Sequence, residues 1–132
     1  MIVYSLDSNI VSYYLKNNSK VIDKVETEIQ NNIIVISPIV YYEINNWLLK
    51  NNSKKKNAIF EKMYSDKGIG IIDKNTLDIA SSIFVKLQKS GVIIENADIL
   101  IAAWCIQNDY TLVSNNVKHF KNIEHLKIEN WI

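Results

Sequence analysis

Acidic and amide side chains stand beside the ends of predicted strands at separate places along the chain. Asp7 ends an apolar N-terminal run, and Glu43 lies about one turn into the helix after the second predicted strand. Asp98 lies in the first turn of the helix before another predicted strand, and Asn116 follows that strand closely. Ligands of open α/β sheets sit beyond the carboxyl ends of the strands. These side chains are therefore candidates for one shared site.

Three carboxylates facing one cleft repel each other, and this raises their pKa values unless a cation neutralises them. Oxygen ligands with retained waters suit Mg²⁺ or Mn²⁺ better than Zn²⁺. A divalent ion held in this way lowers the pKa of bound water and holds a phosphate oxygen. The pattern therefore points to metal-assisted chemistry on a phosphate ester.

Each acid also has a simpler explanation when it is considered alone. Asp7 can serve only as a helix N-cap, Asp98 only as a first-turn carboxylate favoured by the helix dipole, and Glu43 can be merely solvated. Their joint placement favours a site, and that placement requires the strand at residues 111–114 to lie next to the first strand.

The hydrophobic pattern predicts strands alternating with helices along most of the chain. The predicted strands cover residues 2–6, 33–36, 68–72, 111–114 and 126–129. The predicted helices cover about 9–17, 20–31, 38–50, 54–66 and 73–90, with a further helix from residue 96 or 97. Ser8, Ser19 and Ser37 are the predicted N-caps of the first three helices. A core stripe of Leu77, Ala80, Phe84 and Leu87 is expected on the fifth.

This alternation is typical of an α/β fold with a parallel sheet and helices on both faces. We expect a single domain over residues 1–132, because 48% of the residues are hydrophobic and no linker or repeat is visible. No apolar run is long enough to span a membrane, no secretion signal is visible, and Cys105 has no partner for an internal disulfide. A cytoplasmic protein is expected.

The charge pattern limits how the chain can contact nucleic acid. Net charge is only +1, so a protein that coats nucleic acid is not indicated. All 15 basic residues are Lys, so phosphate contacts must use ammonium groups, backbone N–H groups or a metal ion. The Lys54–Lys56 run is interpreted as a solvated helix start, with RNA contact as the alternative. Trp47 shares a helix face with Glu43, and we expect it to pack in the core or against a partner rather than to stack on a base.

Four blocks spread over the chain resemble the signature blocks of PIN-domain ribonucleases, and more closely those of the VapC toxins of bacterial toxin–antitoxin pairs. They are DSNI at residues 7–10, SPIVYYEI at 37–44, NADILIAA at 96–103 and LVSNNVKHF at 112–120. Residues 126–131 are similar to the final strand of that family. The resemblance implies a three-layer α/β/α PIN-like domain with a central, mostly parallel sheet of four to five strands.

The resemblance also implies an activity and a site. It implies a Mg²⁺-dependent endoribonuclease, with Mn²⁺ as the alternative ion, in which Asp7, Glu43 and Asp98 bind the metal. Asn116 occupies the place where many PIN domains have a fourth Asp, and Ser114 the place of a Thr or Ser hydroxyl. With three formal negative charges, one firmly bound Mg²⁺ is the expectation. Whether Asn115 or Ser114 takes part in the site stays open.

The expected reaction is hydrolysis of an RNA phosphodiester by metal-activated water, leaving 5′-phosphate and 3′-hydroxyl ends. A structured RNA such as tRNA is the expected substrate. The resemblance further implies a homodimer and a cognate antitoxin that covers the acidic cleft. His119 is expected to have a surface or packing role rather than a catalytic one.

Two other interpretations remain open at this point. One is a PIN-like module that no longer cuts RNA and serves in binding or regulation; Asn116 hints at it, whereas the three intact acids argue against it. The other is a receiver-like or flavodoxin-like domain. The chain has only three Gly and no phosphate-cradling Gly-rich loop, which disfavours nucleotide-binding variants of that kind.

Overall fold

A computed structural model describes all 132 residues, which form four strands and seven helices. The strands are β1 (Val3–Leu6), β2 (Ile33–Val35), β3 (Thr111–Val113) and β4 (Lys127–Glu129). The helices are α1 (Ser8–Leu15), α2 (Ser19–Glu28), α3 (Pro38–Asn51), α4 (Lys54–Tyr64), α5 (Lys74–Lys89), α6 (Asn96–Asn108) and α7 (Val117–Phe120). The predicted α/β alternation is confirmed.

The four strands form one parallel sheet in the order β2-β1-β3-β4. Tyr4 of β1 is in register with Ile34 of β2 on one side and with Thr111 of β3 on the other. The strand at residues 111–113 therefore lies next to the first strand, as the shared site requires. Because the strand order reverses between β1 and β3, their carboxyl ends form a topological switch point, the place where open α/β sheets bind ligands.

The predicted strand at residues 68–72 is wrong, because this segment forms no strand. Gly68 and Gly70 have φ values of 71° and 77°, which an extended ladder does not accept. The segment instead crosses α6, where the Trp104 indole N–H donates a 3.0 Å hydrogen bond to the carbonyl of Ile71. The sheet therefore has four strands, the lower end of the predicted range.

Two of the three predicted helix caps are also wrong. The side chain of Asp7, rather than Ser8, caps α1, and that of Asn18, rather than Ser19, caps α2. Ser37 caps α3 as predicted, with proline following at the first helical position. Ser8 is thereby released from capping and is available for a contact with another helix.

The core is one cluster of 29 buried hydrophobic residues around the sheet. On α5 the buried face is rotated from the prediction: Leu77 and Phe84 are 48% and 47% exposed, and the buried positions are Thr76, Ala80, Ile83 and Leu87. The face turns because the hydroxyl of Thr76 hydrogen-bonds Asp73 and Gln107 beneath the helix start.

Cys105 lies in the core, and burial raises the pKa of its thiol to about 12. A thiol in that state is not a nucleophile at neutral pH. None of the helices has the length and apolar character needed to cross a membrane.

Candidate active site

Asp7 is fixed at the carboxyl end of β1 by both backbone and side-chain bonds. Its N–H donates to the carbonyl of Val113 at 2.8 Å, which extends the β1–β3 ladder by one step. Its Oδ1 accepts the N–H of Ser8 at 2.9 Å, and its Oδ2 accepts the hydroxyl of Ser114 at 2.7 Å. Asp7 is 6% exposed, so this carboxylate is buried at the sheet edge with a defined orientation.

Ser114 joins the loop after β3 to Asp7. Its side chain is buried, and its Oγ accepts the N–H of Asn116 at 3.0 Å while it donates to Asp7. One hydroxyl therefore holds both the carboxylate and the turn that follows the strand. This position matches the hydroxyl expected from the sequence.

Glu43 reaches the same edge from α3. Its Oε1 accepts the hydroxyl of Ser8 at 2.6 Å. Ser8 directly follows Asp7, so this bond places Glu43 beside the first carboxylate. The expected cap of α1 thus orients a second acid instead.

Asp98 comes from the first turn of α6 and is paired with a histidine. Its Oδ2 lies 2.8 Å from Nε2 of His119 on α7, and the two side chains are 22% and 29% exposed, respectively. His119 is thus closer to the acids than its expected surface or packing role suggested. A signal was present in the sequence, since His119 lies in the short element directly after β3, at the edge shared by the acids.

The charges of the acids act on one another. Burial is the main cause that raises the pKa of Asp7, and the charge of Asp98 adds to it, while hydrogen bonds from Ser114 and Ser8 oppose it. Burial likewise raises the pKa of Glu43, with further contributions from the charges of Asp7, Asp98 and Glu95 and an opposing hydrogen bond from Ser8. The three acids therefore lie near one another at the carboxyl edge of the sheet, and we call this place the acidic cleft.

The remaining polar groups occupy the rim of this cleft. Asn116 is exposed and contacts Ser114 through its backbone N–H, while its side chain makes no cap hydrogen bond. The N–H of Asn115 donates to Oδ1 of Asn9 at 3.2 Å. Glu95, at the start of α6, is a nearby acid that the sequence reasoning missed. Glu95 lies three residues before Asp98, about one helical turn away, and this spacing was the sequence feature that could have identified it.

The chain also matches a known protein family. The model of the PIN domain family matches residues 4–126. The chain belongs to the PIN domain family. "Ribonuclease VapC2" of Rickettsia felis is 35% identical to this PIN domain over 98% of both chains. "Ribonuclease VapC2" of Haemophilus influenzae is 31% identical over the full length of both. The predicted resemblance to the PIN and VapC families is confirmed.

Solved structures support the same fold for this PIN domain. The VapBC2 complex of Rickettsia felis bound to a promoter DNA fragment contains a chain with 33% identity and a TM-score of 0.84, covering 99% of this chain and all of that one. A chain of VapBC-1 from nontypeable Haemophilus influenzae, 23% identical, matches with a TM-score of 0.80 over 98% of both chains and supports the fold alone. The predicted three-layer architecture is therefore confirmed.

The acids of this PIN domain fit a hard divalent cation by their chemistry. Oε2 of Glu43 and Oδ1 of Asp98 accept no hydrogen bond from the protein, so each carboxylate keeps an oxygen for a further ligand. Mutual repulsion in a half-buried cleft favours a cation there. In this arrangement no three acidic, His or Cys side chains are close enough together to hold a metal ion. Glu43 is instead hydrogen-bonded to Ser8, and Asp98 to His119.

Proposed function

We propose that this PIN domain is a metal-dependent endoribonuclease of the VapC type, the toxin of a toxin–antitoxin pair. The observation that carries the proposal is that Asp7, Glu43 and Asp98, from three separate elements, lie near enough at the carboxyl edge of the sheet for the charges of neighbouring acids to raise the pKa values of Asp7 and Glu43. The full-length relatives named "Ribonuclease VapC2" support the same activity.

Asp7, Glu43 and Asp98 would hold Mg²⁺, or Mn²⁺ as the alternative ion. When bound, the cation would lower the pKa of its coordinated water and neutralise charge on the phosphate. Asn116 stands in the fourth position and adds no charge, so the three carboxylates match one firmly held ion. Structured RNA such as tRNA is the proposed substrate.

The chain's own residues prepare the site by orientation. The hydroxyls of Ser114 and Ser8 direct the carboxylates of Asp7 and Glu43, and His119 fixes that of Asp98. Burial of Asp7 lowers the local dielectric, which strengthens its attraction for a cation. Orientation by hydrogen bonds of this kind is what tunes oxygen ligands in metal sites.

A cognate antitoxin is the proposed partner, since the Rickettsia felis structure that this chain matches is a VapBC2 complex. A homodimer and a cytoplasmic location complete the proposal. An RNA substrate and the single free Cys105 both fit a reducing compartment.

The activity is tested with protein purified free of any partner and incubated with total RNA and with tRNA, in Mg²⁺, in Mn²⁺ and in EDTA. We expect discrete cuts that disappear in EDTA and in the variants Asp7→Asn and Asp98→Asn. Asp78→Asn, an exposed acid on α5, is the charge-matched control and should cut like the wild type.

Two outcomes would contradict the proposal. Equal cutting by the site variants would identify a contaminating nuclease. Absence of cutting under every metal condition, with binding of RNA retained, would assign the chain to the non-cutting binding modules.

A further inference from the structure

Two lysines and one tryptophan form a cluster near the acidic cleft. The Nζ atoms of Lys16 and Lys56 each lie 5.4 Å from the ring centroid of Trp47. Lys16 ends α1, Trp47 lies in α3, and Lys56 lies in the first turn of α4. Both distances are within the cation–π range, so the indole attracts both ammonium groups to its ring. We call these three residues the Lys–Trp cluster.

The polar groups of the Lys–Trp cluster have no partners in the protein. Neither lysine forms an ion pair; of the 15 lysines of the chain, only Lys24, Lys74, Lys86 and Lys127 pair with an acid. The indole N–H groups of Trp104 and Trp131 each donate a hydrogen bond, but that of Trp47 donates none. Two ammonium groups without an ion-pair partner and an indole N–H that donates to no protein group therefore lie together.

The position of the cluster relates it to the acids. Trp47 lies one helical turn beyond Glu43 on the same face of α3, a rise of about 6 Å. At the start of α1, Ser8 contacts Glu43, and at its end Lys16 contacts Trp47. Ser8 precedes Lys16 along α1, and Glu43 precedes Trp47 along α3, so the two contacts have the same order on both helices. A path along α1 and α3 therefore leads from the carboxylates to the Lys–Trp cluster.

We propose that the Lys–Trp cluster is a subsite that binds backbone phosphates of the RNA strand beside the phosphodiester held at the acids. This inference rests on the proposed function. Because the chain has no Arg, phosphate must be bound by ammonium groups, and a rigid ring that positions two of them replaces the geometry of a guanidinium fork.

The start of α4 adds to the positive charge at this place. Lys54, Lys55 and Lys56 fill the first turn, where the helix dipole disfavours cations, and the N-cap Ser53 makes no side-chain hydrogen bond. This arrangement costs helix stability. An anion bound here would offset that cost.

The test measures binding of a fluorescent single-stranded RNA to the Asp98→Asn protein, which is expected not to cut, over a series of KCl concentrations. Adding Lys16→Ala and Lys56→Ala should weaken binding about tenfold and reduce the salt slope by about 1.4, or about 0.7 for each lost phosphate contact. Lys74→Ala with Lys127→Ala removes the same charge from lysines already paired with acids, and both quantities should stay unchanged.

The role of the ring is tested in the same background. Trp47→Phe keeps an aromatic face and should retain most of the affinity, whereas Trp47→Ala should weaken binding as the lysine pair does. Thermal unfolding of each variant verifies that the fold is kept. Equal affinity of the Lys16→Ala/Lys56→Ala protein and its parent would overturn the subsite. So would unchanged RNA binding combined with weakened binding of poly-L-glutamate, which would assign the surface to an acidic protein partner.

Cleavage assays on proteins with all three acids intact separate this subsite from the proposed function. If the wild type cuts RNA and the Lys16→Ala/Lys56→Ala variant cuts it with an unchanged KM, the subsite is wrong and the ribonuclease stands. If it cuts no RNA while the lysine pair still governs RNA binding, the ribonuclease is wrong and the subsite stands. A raised KM with little change in kcat supports both.

Discussion

Asp7 combines a structural role with a chemical one. It caps α1, extends the β1–β3 ladder and accepts the hydroxyl of Ser114 while it is buried. Burial raises its pKa above the ordinary value of 3.8. A carboxyl group with a raised pKa in the folded state gives its full contribution to stability below its unfolded pKa, and this contribution is lost as pH rises through the folded pKa. At neutral pH the charged form therefore costs stability.

The first prediction concerns Asp7→Asn. Asparagine caps helices as well as aspartate does, so α1 is kept while the buried charge is removed. We expect loss of RNA cleavage together with a Tm that is a few degrees higher at neutral pH. The gain should shrink as pH falls toward 3.8, where the wild-type carboxyl is protonated. Thermal unfolding across a pH series measures this, with Asp78→Asn as the control; a lower Tm at neutral pH would contradict it.

The second prediction concerns Ser114→Ala. The hydrogen bond from Ser114 lowers the pKa of Asp7, so its loss should raise that pKa further. The acidic limb of the pH–activity profile should then move to higher pH, and stability should fall by about 1–2 kcal/mol because a buried acceptor and the N–H of Asn116 lose their partner. Ser114→Thr keeps the hydroxyl and should leave the profile near that of the wild type. An unmoved acidic limb in Ser114→Ala would refute the link.

At the scale of elements, the acids depend on how helices begin and where loops cross them. Ser37 starts α3, which carries Glu43, and Trp104 anchors the loop before α5 onto α6, which carries Asp98. Each contact has a matched control in the chain. Ser53 occupies the cap position of α4 without a side-chain cap bond, and Gly68 lacks the contact with Trp104 that Gly70 has.

Ser37→Ala should lower stability by about 1 kcal/mol, because the Oγ of Ser37 accepts the N–H of Val40 at the buried start of α3. Ser53→Ala is the matched control, since Ser53 occupies the same position on α4 and makes no side-chain cap bond. Urea unfolding of both variants measures the difference. Equal losses of stability in the two variants would show that the cap hydrogen bond of α3 does not stabilise the fold.

Gly70→Ala should destabilise the fold more than Gly68→Ala does. Both residues have positive φ, but a Cβ at Gly70 would stand 2.8 Å from Cζ2 of Trp104, whereas at Gly68 nothing lies within 4 Å. Gly68→Ala should cost about 1 kcal/mol of backbone strain, and Gly70→Ala a further 1–3 kcal/mol, roughly, of overpacking. Urea unfolding and tryptophan emission report on the two; indistinguishable variants would mean that Trp104 moves aside freely.

At the scale of the whole molecule, strand order creates the site and charge distribution orients it. The order β2-β1-β3-β4 places the ends of β1 and β3 side by side, and α3 and α6 deliver Glu43 and Asp98 to that edge. At the opposite edge, Lys127 pairs with Asp109 ahead of β3, whereas the lysines beside Trp47 stay unpaired. The molecule therefore presents acids at the carboxyl edge of the sheet, and two lysines without ion-pair partners lie beside Trp47, one helical turn beyond Glu43.

The fifth prediction is that Mg²⁺ stabilises the whole fold through this cleft. An ion that binds only the native state adds about 2.7 kcal/mol at a concentration about 100 times its Kd. Adding MgCl₂ should therefore raise the Tm of the wild type, and KCl of equal ionic strength should not. Asp98→Asn should lose most of the response. A response that persists in this variant would place the ion elsewhere.

Much of the fold followed from local pattern. Apolar runs located the four observed strands, and the Ser37-Pro38 pair located the start of α3, because burial and capping depend on neighbouring residues. The segment at 68–72 misled because it runs past α6, held through the carbonyl of Ile71, with Gly68 and Gly70 in left-handed backbone and the side chain of Ile71 exposed, rather than joining the sheet. Residue types alone do not distinguish an apolar run in a strand from one in such a crossing segment.

The sequence by itself established the α/β alternation, the family resemblance and the candidate acids, since these depend on residue type and short-range spacing. The pairing of Ser8 with Glu43, of His119 with Asp98 and of Ser114 with Asp7 came only with the tertiary structure. The meeting of Lys16, Trp47 and Lys56 from three helices came with it too. These partners lie far apart along the chain, and strand order and helix packing, rather than local periodicity, bring them within hydrogen-bonding or cation–π distance.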